Sequence, residues 1–405
     1  MNQVILFLFN ALEIILLVSL GLATLYIFVF AVSGLFYRQP VYKKDPLFRK
    51  IAVLIPGYKE DDVIVDVARE SLKQDYPTYL FDVIIIADSF QQQTLEHLRQ
   101  LPIKVVEVKF DKSTKAKALN KAMEVLPDDY QIAVILDADN IMAADFLSKI
   151  NAGFEDNKLV IQGHRTAKNL DTSFAILDAV SEEINNHIFR KGHRALGLSS
   201  AIIGSAMAFR YDFFKELMAS VTAVGGFDKE IELKMLKNRV TIEYLDDAYV
   251  MDEKIQKAQA FSNQRRRWLS AQFHYVTRDF TSALRHLVLK GNIDYFEKTL
   301  QYLQPPRVLI LGTMIVLGIV FPVINTLAGA AIWMSWAWIL AGITCIVAFL
   351  LCIPGIFYNW QTLKALFSLP KGMMLMILSL FRLKGANKQF IHTKHGAVKT
   401  VRNIQ

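Results

Sequence analysis

Gln131-Ile132-Ala133-Val134-Ile135-Leu136-Asp137-Ala138-Asp139 is a short apolar, β-branched run that closes on two carboxylates. Such a run between turn formers reads as a buried strand. Asp137 and Asp139 then project together at its carboxyl end, the edge of an open α/β sheet where ligands sit. Two acids this close repel unless positive charge lies between or beside them. Hard divalent cations such as Mg²⁺ take oxygen ligands, commonly one or two carboxylates plus substrate phosphates. Taken alone, the pair also reads as an acidic turn after a strand.

The same pattern extends to both sides. Strand-like runs at Ile51–Ile55, Val83–Ala87, Ile103–Val108 and Leu159–Gln162 alternate with helical spacing at Val63–Gln74 and Lys115–Val125. That alternation predicts βαβ units and a mostly parallel central sheet from Ile51 to about Tyr249. Glu60 follows the first strand and Asp88 closes the second. Both acids fall on the edge that carries Asp137 and Asp139, where carboxylates accept hydrogen bonds from ribose hydroxyls or base N–H groups. Singly, each also reads as a turn or helix-capping acid. Lys115 and Lys117 open a helix and can meet a diphosphate as point charges, or one of them can simply face solvent.

The two ends are of another character. The chain has 405 residues, 53% of them hydrophobic, and a net charge of +8. Val4 to Phe36 is apolar apart from Glu13 and small polar residues, longer than the ~20 residues that span a bilayer. Arg38, Lys43, Lys44, Arg49 and Lys50 follow at once, so the positive-inside rule puts that side in the cytoplasm and the amino terminus outside. Further apolar segments run from Val308 to about Leu327 and from Trp333 to Ile353, with Trp333, Trp336 and Trp338 as an interfacial aromatic cluster. Lys364, Lys371, Arg382, Lys384, Lys388 and Lys394 then return the chain to the basic side, and Gly372 to Leu383, apolar but short, reads as a helix lying in the interface, with a fourth span as the alternative. Glu13 is an intramembrane acid with a function, or one that faces water or a neighbouring helix. Cys345 and Cys352 share one apolar helix face, too far apart along it to bridge. No basic run interleaved with aromatics reads as a nucleic-acid module, so no nucleic-acid partner is expected. The expected organisation is an anchor at 1–37, a cytoplasmic α/β domain at 48–254, interfacial helices at 255–304, two spans at 305–356, and an interfacial helix with a basic tail at 357–405.

Two more stretches carry chemistry. Gly225-Gly226-Phe227-Asp228-Lys229-Glu230-Ile231-Glu232-Leu233 is a glycine turn into an acidic helix start. Acids there suit the helix dipole, and a positioned carboxylate can also accept the proton of an attacking hydroxyl. Gln264-Arg265-Arg266-Arg267-Trp268 lies on an amphipathic helix predicted over about Ile255–Tyr275, where Phe261, Trp268 and Tyr275 recur on one face. Arginine binds phosphate oxygens as a bidentate fork, and tryptophan offers a flat face to a sugar ring. Alternatively, the helix holds its tryptophan in lipid and its arginines at headgroups.

In this order the motifs resemble the membrane-integrated family-2 glycosyltransferases, the group of cellulose, hyaluronan and chitin synthases. The likeness runs from Pro56–Glu60 through Asp88, Lys115–Asn120, Asp137/Asp139 and Gly204–Arg210 to Gln264, Arg267 and Trp268, with spans after them. It implies a GT-A type domain and an inverting β-glycosyl transfer from a nucleotide-diphosphate sugar, usually a UDP-sugar, to a growing glycan or polysaccharide at the inner membrane. Single addition to a lipid-linked acceptor and a catalytically inactive nucleotide sensor are the alternatives. By resemblance, Glu60 and Asp88 hold the nucleoside, and Asp137 approaches the ribose or diphosphate. Asp139, with Asp137, binds Mg²⁺ or Mn²⁺. Gln264 and Arg267 contact the diphosphate and Trp268 lies beneath the acceptor. The base is Glu230 when Glu232-Leu233 is matched to the family's E-L pair, with Asp228 as second candidate. The segment is shorter than the family's, and Ala87-Asp88 stands where paired aspartates are usual. Three spans leave an oligomer, an export partner or no translocation as alternatives.

Overall fold

The computed structural model describes residues 3–42, 46–223, 225–256, 258–329 and 331–381. Lys43, Lys44, Arg382, Lys384, Lys388, Lys394 and the side chain of Phe261 lie outside what is described.

Eight strands form one sheet: β1 (Ile51–Tyr58), β2 (Phe81–Asp88), β3 (Lys104–Val108), β4 (Ile132–Ile135), β5 (Ile141–Met142), β6 (Val160–Ala167), β7 (Met207–Arg210) and β8 (Ile242–Asp252). Their order is β3-β2-β1-β4-β7-β6-β8-β5. β1 to β4 run parallel, as the βαβ alternation requires. β7 is antiparallel to both β4 and β6, β8 is parallel to β6, and β5 is antiparallel to β8, so the sheet is mixed. The β-branched runs are buried on both faces, the mark of a sheet covered by helices on each side. Ala52, Leu54, Ile84, Ile86, Ala133 and Ile135 feed one core. Ile51, Val53, Ile55, Val83, Ile85 and Val134 feed the other, the period-two alternation of a strand.

This order sets the site. Strand order reverses at β1, between β2 and β4. Ligands of open α/β sheets bind outside the carboxyl ends at such a switch point. Glu60 beyond β1, Asp88 at the end of β2 and Asp137 beyond β4 all stand there.

Three helices are long and apolar enough to cross a membrane, at Phe7–Gly34, Arg307–Ala328 and Ile332–Leu351. A bent pair, Trp360–Leu366 and Leu369–Leu380, meets at 44° and is apolar enough, taken together, for a fourth crossing. The amino-terminal helix is fastened to the α/β domain. His187 Nε2 donates to the Ala31 carbonyl (2.7 Å), and Phe30 stacks on His193 (3.9 Å between centroids). A Cβ on Gly192 would lie 2.3 Å from the Phe30 carbonyl oxygen, so only glycine admits this crossing.

Two expectations change here. Trp338 is not interfacial: it is fully buried, stacks on Phe321 (4.8 Å) and donates to Glu13 Oε1 (2.9 Å). Trp333 and Trp336 do face outward. The amphipathic helix runs much further than expected, over Ala258–Lys290. Its Ala271, Tyr275, Val276 and Ala283 pack into the α/β core, so that face meets protein rather than lipid.

Candidate active site

The turn after β4 is held by Asn140, which is fully buried. Its Oδ1 accepts from the Asp137 backbone N–H (3.1 Å) and from Ser205 Oγ. Its Nδ2 donates to Asp139 Oδ1 (3.2 Å) and Asp252 Oδ1 (3.0 Å). Asp139 is buried, and its Oδ2 accepts the Glu253 N–H (3.2 Å). Asp137 is more open. Lys115, the first residue of its helix, donates to Asp137 Oδ1, to the Leu136 carbonyl (3.3 Å) and to the Gly204 carbonyl (2.8 Å). The positive charge that paired acids need is therefore supplied beside Asp137 by Lys115.

Behind this turn lies an ion network that sequence reasoning missed. Arg165 on β6 donates to Glu182 Oε2 (2.8 Å) and lies 3.8 Å from Asp137 Oδ2 and 3.7 Å from Asp252 Oδ1. Lys254 pairs with Asp252 (2.9 Å) and reaches Glu182 (3.4 Å). Burial alone would raise the Asp252 carboxyl, but Arg165 and then Lys254 pull it below its usual range. The signal available was a charged residue, Arg165, just beyond the strand-like run Leu159–Gln162. Its partners come from a helix and from a strand near the end of the domain, which spacing does not reveal.

Glu60 and Asp88 sit on the same edge, both buried, and Ser89 Oγ donates to Asp88 Oδ1 (2.9 Å). Lys117 does not join them. Its Nζ donates to the Lys112 carbonyl (3.0 Å) on the exposed side of the helix.

The acidic helix runs from Phe227 to Lys237 and starts at Gly226, whose φ of +68° is left-handed. A Cβ there would also lie 2.9 Å from Ala271 Cβ, so glycine is doubly required. Glu230 is buried away from the cleft in an ion pair with Lys234 (2.8 Å), one turn on. Glu232 accepts from Ile202 N (3.0 Å) and from Tyr302 Oη, which occupies it structurally. Asp228 faces the cleft beside Gly204, and among the described residues it has no hydrogen-bond or ion-pair partner.

One cleft of about 2430 Å³ gathers these groups. Glu60, Asp88, Lys115, Asp137, Asp139, Asp228, Gln264, Arg267 and Trp268 all line it, whereas Glu230 and Lys117 do not. Burial pushes the Arg267 guanidinium below its ordinary range. Trp268 is 36% exposed and carries the Arg265 guanidinium over its ring at 4.6 Å, so one face of the indole is already covered. The cleft continues to Val308, Leu311 and Ile315 of one apolar helix and Ile346, Phe349 and Leu350 of the next. Its two ends are thus chemically opposite, acidic and cationic at the sheet edge and apolar among the membrane helices.

A mixed sheet with acids at its switch point, opening on a cleft, is a GT-A-like α/β fold. Residues 49–271 match the family described as Glycosyltransferase like family 2. That is more than half of the chain, which belongs to this family. Among curated proteins, the β-monoglucosyldiacylglycerol synthases of Trichormus variabilis and of a Nostoc species are each 23% identical over 265 residues. Each match covers 62% of this chain and 54% of the relative, so the chain spans about half the length of the curated relatives it matches. Among solved structures, a mannosyltransferase of Pyrobaculum calidifontis, in complex with GDP-mannose and Mn²⁺, superposes with a TM-score of 0.55. It is 15% identical, covering 91% of this chain and 98% of that one, and shares the fold.

Proposed function

We propose that this chain is a membrane-embedded, inverting glycosyltransferase that moves a sugar from a nucleotide-diphosphate sugar, of the UDP type, to a lipid acceptor. The observation that carries this is the continuity of the cleft from the acidic sheet edge to the stripe Val308, Leu311 and Ile315 on a membrane-length helix. A water-soluble acceptor has no use for the apolar end. The curated relatives, named for a glucosylated diacylglycerol, agree with a lipid acceptor. Extension of a growing glycan has the Gln264-Arg267-Trp268 signature in its favour, but Arg265 covers one face of that tryptophan.

In this reading Glu60 and Asp88 accept hydrogen bonds from the nucleoside, and Lys115 turns from Asp137 towards the diphosphate. The described residues contain no cluster of three or more acids, histidines or cysteines placed to hold a metal. Asp137 and Asp139 nevertheless offer hard oxygen ligands in the cleft and would hold a Mg²⁺ or Mn²⁺ there. Such an ion would supply positive charge against a departing diphosphate. The acceptor hydroxyl loses its proton to the Asp228 carboxylate. Its oxygen bonds to the anomeric carbon as the bond from that carbon to the diphosphate oxygen breaks, which inverts the centre in one displacement. Gln264 and Arg267 meet the diphosphate, and the open face of Trp268 meets the acceptor. The α/β domain would lie on the cytoplasmic side of the inner membrane, with the amino terminus outside, and the segments 1–37, 48–254, 255–304, 305–356 and 357–405 are its working units. An oligomer or export partner is not needed for single addition.

The test uses the full chain in nanodiscs with a panel of labelled nucleotide sugars, with and without Mg²⁺ and Mn²⁺. Label passing into an organic-extractable product, abolished by Asp139→Ala, is expected. Label found only in a water-soluble polymer would restore glycan extension, and nucleotide binding with no sugar release would restore the sensor.

A further inference from the structure

Arg307 is the first residue of the helix Arg307–Ala328. The amino end of a helix carries about half a positive charge, which acids in the first turn usually offset. This helix has none there, no side-chain cap on its first N–H groups, and a cation instead. The guanidinium is incompletely satisfied. Nη2 donates to Asn185 Oδ1, and the group lies over the Phe189 ring at 4.6 Å. Nη1 is buried with no hydrogen-bond partner. Among the described residues no carboxylate forms an ion pair with Arg307. The groups that act on it are the Cys352 thiol, then Arg265 and Arg190, which repel it, and Glu182. Glu182 is already held by Arg165 at 2.8 Å, and Asp178 is held by Arg265 at 2.6 Å.

A half-buried arginine whose Nη1 is shut away from water with no counter-charge leaves part of the desolvation cost of an ion uncompensated. The missing partner is an anion with more than one acceptor oxygen, the geometry that suits both a guanidinium fork and a helix amino end. Its source follows from position. Arg307 lines the cleft at the point where the polar wall gives way to Val308, Leu311 and Ile315. The sheet edge has its own cation in Lys115. A phosphate at Arg307 therefore has alkyl chains as its natural continuation.

We infer that Arg307 and the amino end of its helix bind the phosphate of an anionic lipid, whose chains follow the stripe Val308, Leu311 and Ile315. This rests on the lipid-acceptor reading and narrows it: the acceptor carries a phosphate in addition to the hydroxyl that is glycosylated, and the phosphate-monoester lipids of the test serve only as probes of the phosphate site.

The full chain in phosphatidylcholine nanodiscs is given diacylglycerol, phosphatidic acid or a polyprenyl phosphate, and lipid retention is read by native mass spectrometry. Phosphate-monoester lipids are expected to be retained at least about tenfold over diacylglycerol, a difference of about 1.4 kcal/mol. Arg307→Gln should collapse that ratio to within about threefold, and Arg307→Lys, which keeps the charge without the fork, should restore part of it. A merely structural role would lower the melting temperature without moving the ratio. Equal retention of diacylglycerol overturns the inference. So does displacement by inorganic phosphate at its own affinity with no preference for lipid, because the site then takes free phosphate. If Arg307→Gln does not fold, the wild-type ratio alone decides. Sugar transfer is scored separately: retention of phosphate lipid without a glycolipid product would leave this site standing and sink the proposed activity.

Discussion

Asp228 and Glu230 are two residues apart, so on a helix they point about 200° from one another. That difference favours Asp228 as the base in the proposed reaction. Asp228 faces the cleft, and Glu230 faces Lys234 at 2.8 Å. Asp228→Asn should lower turnover by about 10²- to 10⁴-fold, the usual worth of a positioned base, with nucleotide affinity little changed. Glu230→Gln should leave turnover within a few-fold and lower stability by about 1 kcal/mol through loss of the ion pair. Steady-state rates and thermal melting separate the two, and the reverse pattern would return the base to Glu230. Matching the sequence by its E-L pair selected Glu230, because a linear match carries no information on which helix face meets the cleft. The acidic strand ends were legible for the opposite reason. A strand's carboxyl end fixes where its last residues stand, so Glu60, Asp88, Asp137 and Asp139 could be placed from the runs that precede them. Arg165 and Asn140 were not, since their partners lie on β8 and the helix Ser173–Asn186.

Among the elements, β6 and β8 are joined across a register shift at Gly163/His164. His164 is buried there, its Nδ1 3.0 Å from Asp246 and its Nε2 3.0 Å from Glu183. Burial alone would lower its pKa, but Asp246 and then Glu183 raise it to about 9. A group raised in the folded state stabilises fully below its unfolded value, near 6.5, and loses that contribution as pH rises through the folded value. Stability should therefore fall between about pH 6.5 and 9 by up to roughly 3 kcal/mol. His164→Gln should flatten that limb. Melting in detergent across this range is the check, and an unchanged slope in the variant would remove His164 as the cause. In the membrane helices, Glu13 Oε1 accepts from Asn325 Nδ2 (2.8 Å) and Trp338 Nε1 (2.9 Å), tying three helices together. Glu13→Gln keeps an acceptor for both donors and should be tolerated. Glu13→Leu strands them and should cost about 0.6–2 kcal/mol per bond. Differential melting of the two variants tests this, and equal stability would deny the tie. The three apolar helices were plain from composition, and so were the β-branched strands. The mixed order of the sheet and the partners of Glu13 were not, because pairings between residues far apart in the chain leave no local periodicity.

At the scale of the whole molecule, the helices long and apolar enough to cross a membrane also form part of the cleft. Val308, Leu311 and Ile315 fall three and four residues apart, so they make one stripe on the first helix, facing Ile346, Phe349 and Leu350 on the next. If a lipid reaches the sheet edge between these helices, blocking the gap must slow transfer to lipid and spare the donor end. Ile315 is the residue to enlarge. It is the deepest of the stripe from Arg307, it is 40% exposed, and its replacement by a larger apolar side chain introduces no charge. Ile315→Trp should lower transfer to a lipid acceptor by roughly tenfold or more, which a cost of only about 1.4 kcal/mol would produce. Slow hydrolysis of the nucleotide sugar by water should stay within about twofold, because Lys115, Asp137 and Asp139 are untouched. The two rates are measured on one preparation, as organic-extractable product and as free sugar. An equal fall in both would mean that the helix packing was disturbed. Unchanged lipid transfer would mean that the acceptor enters elsewhere, and the apolar end of the cleft would then serve only to pack the helices.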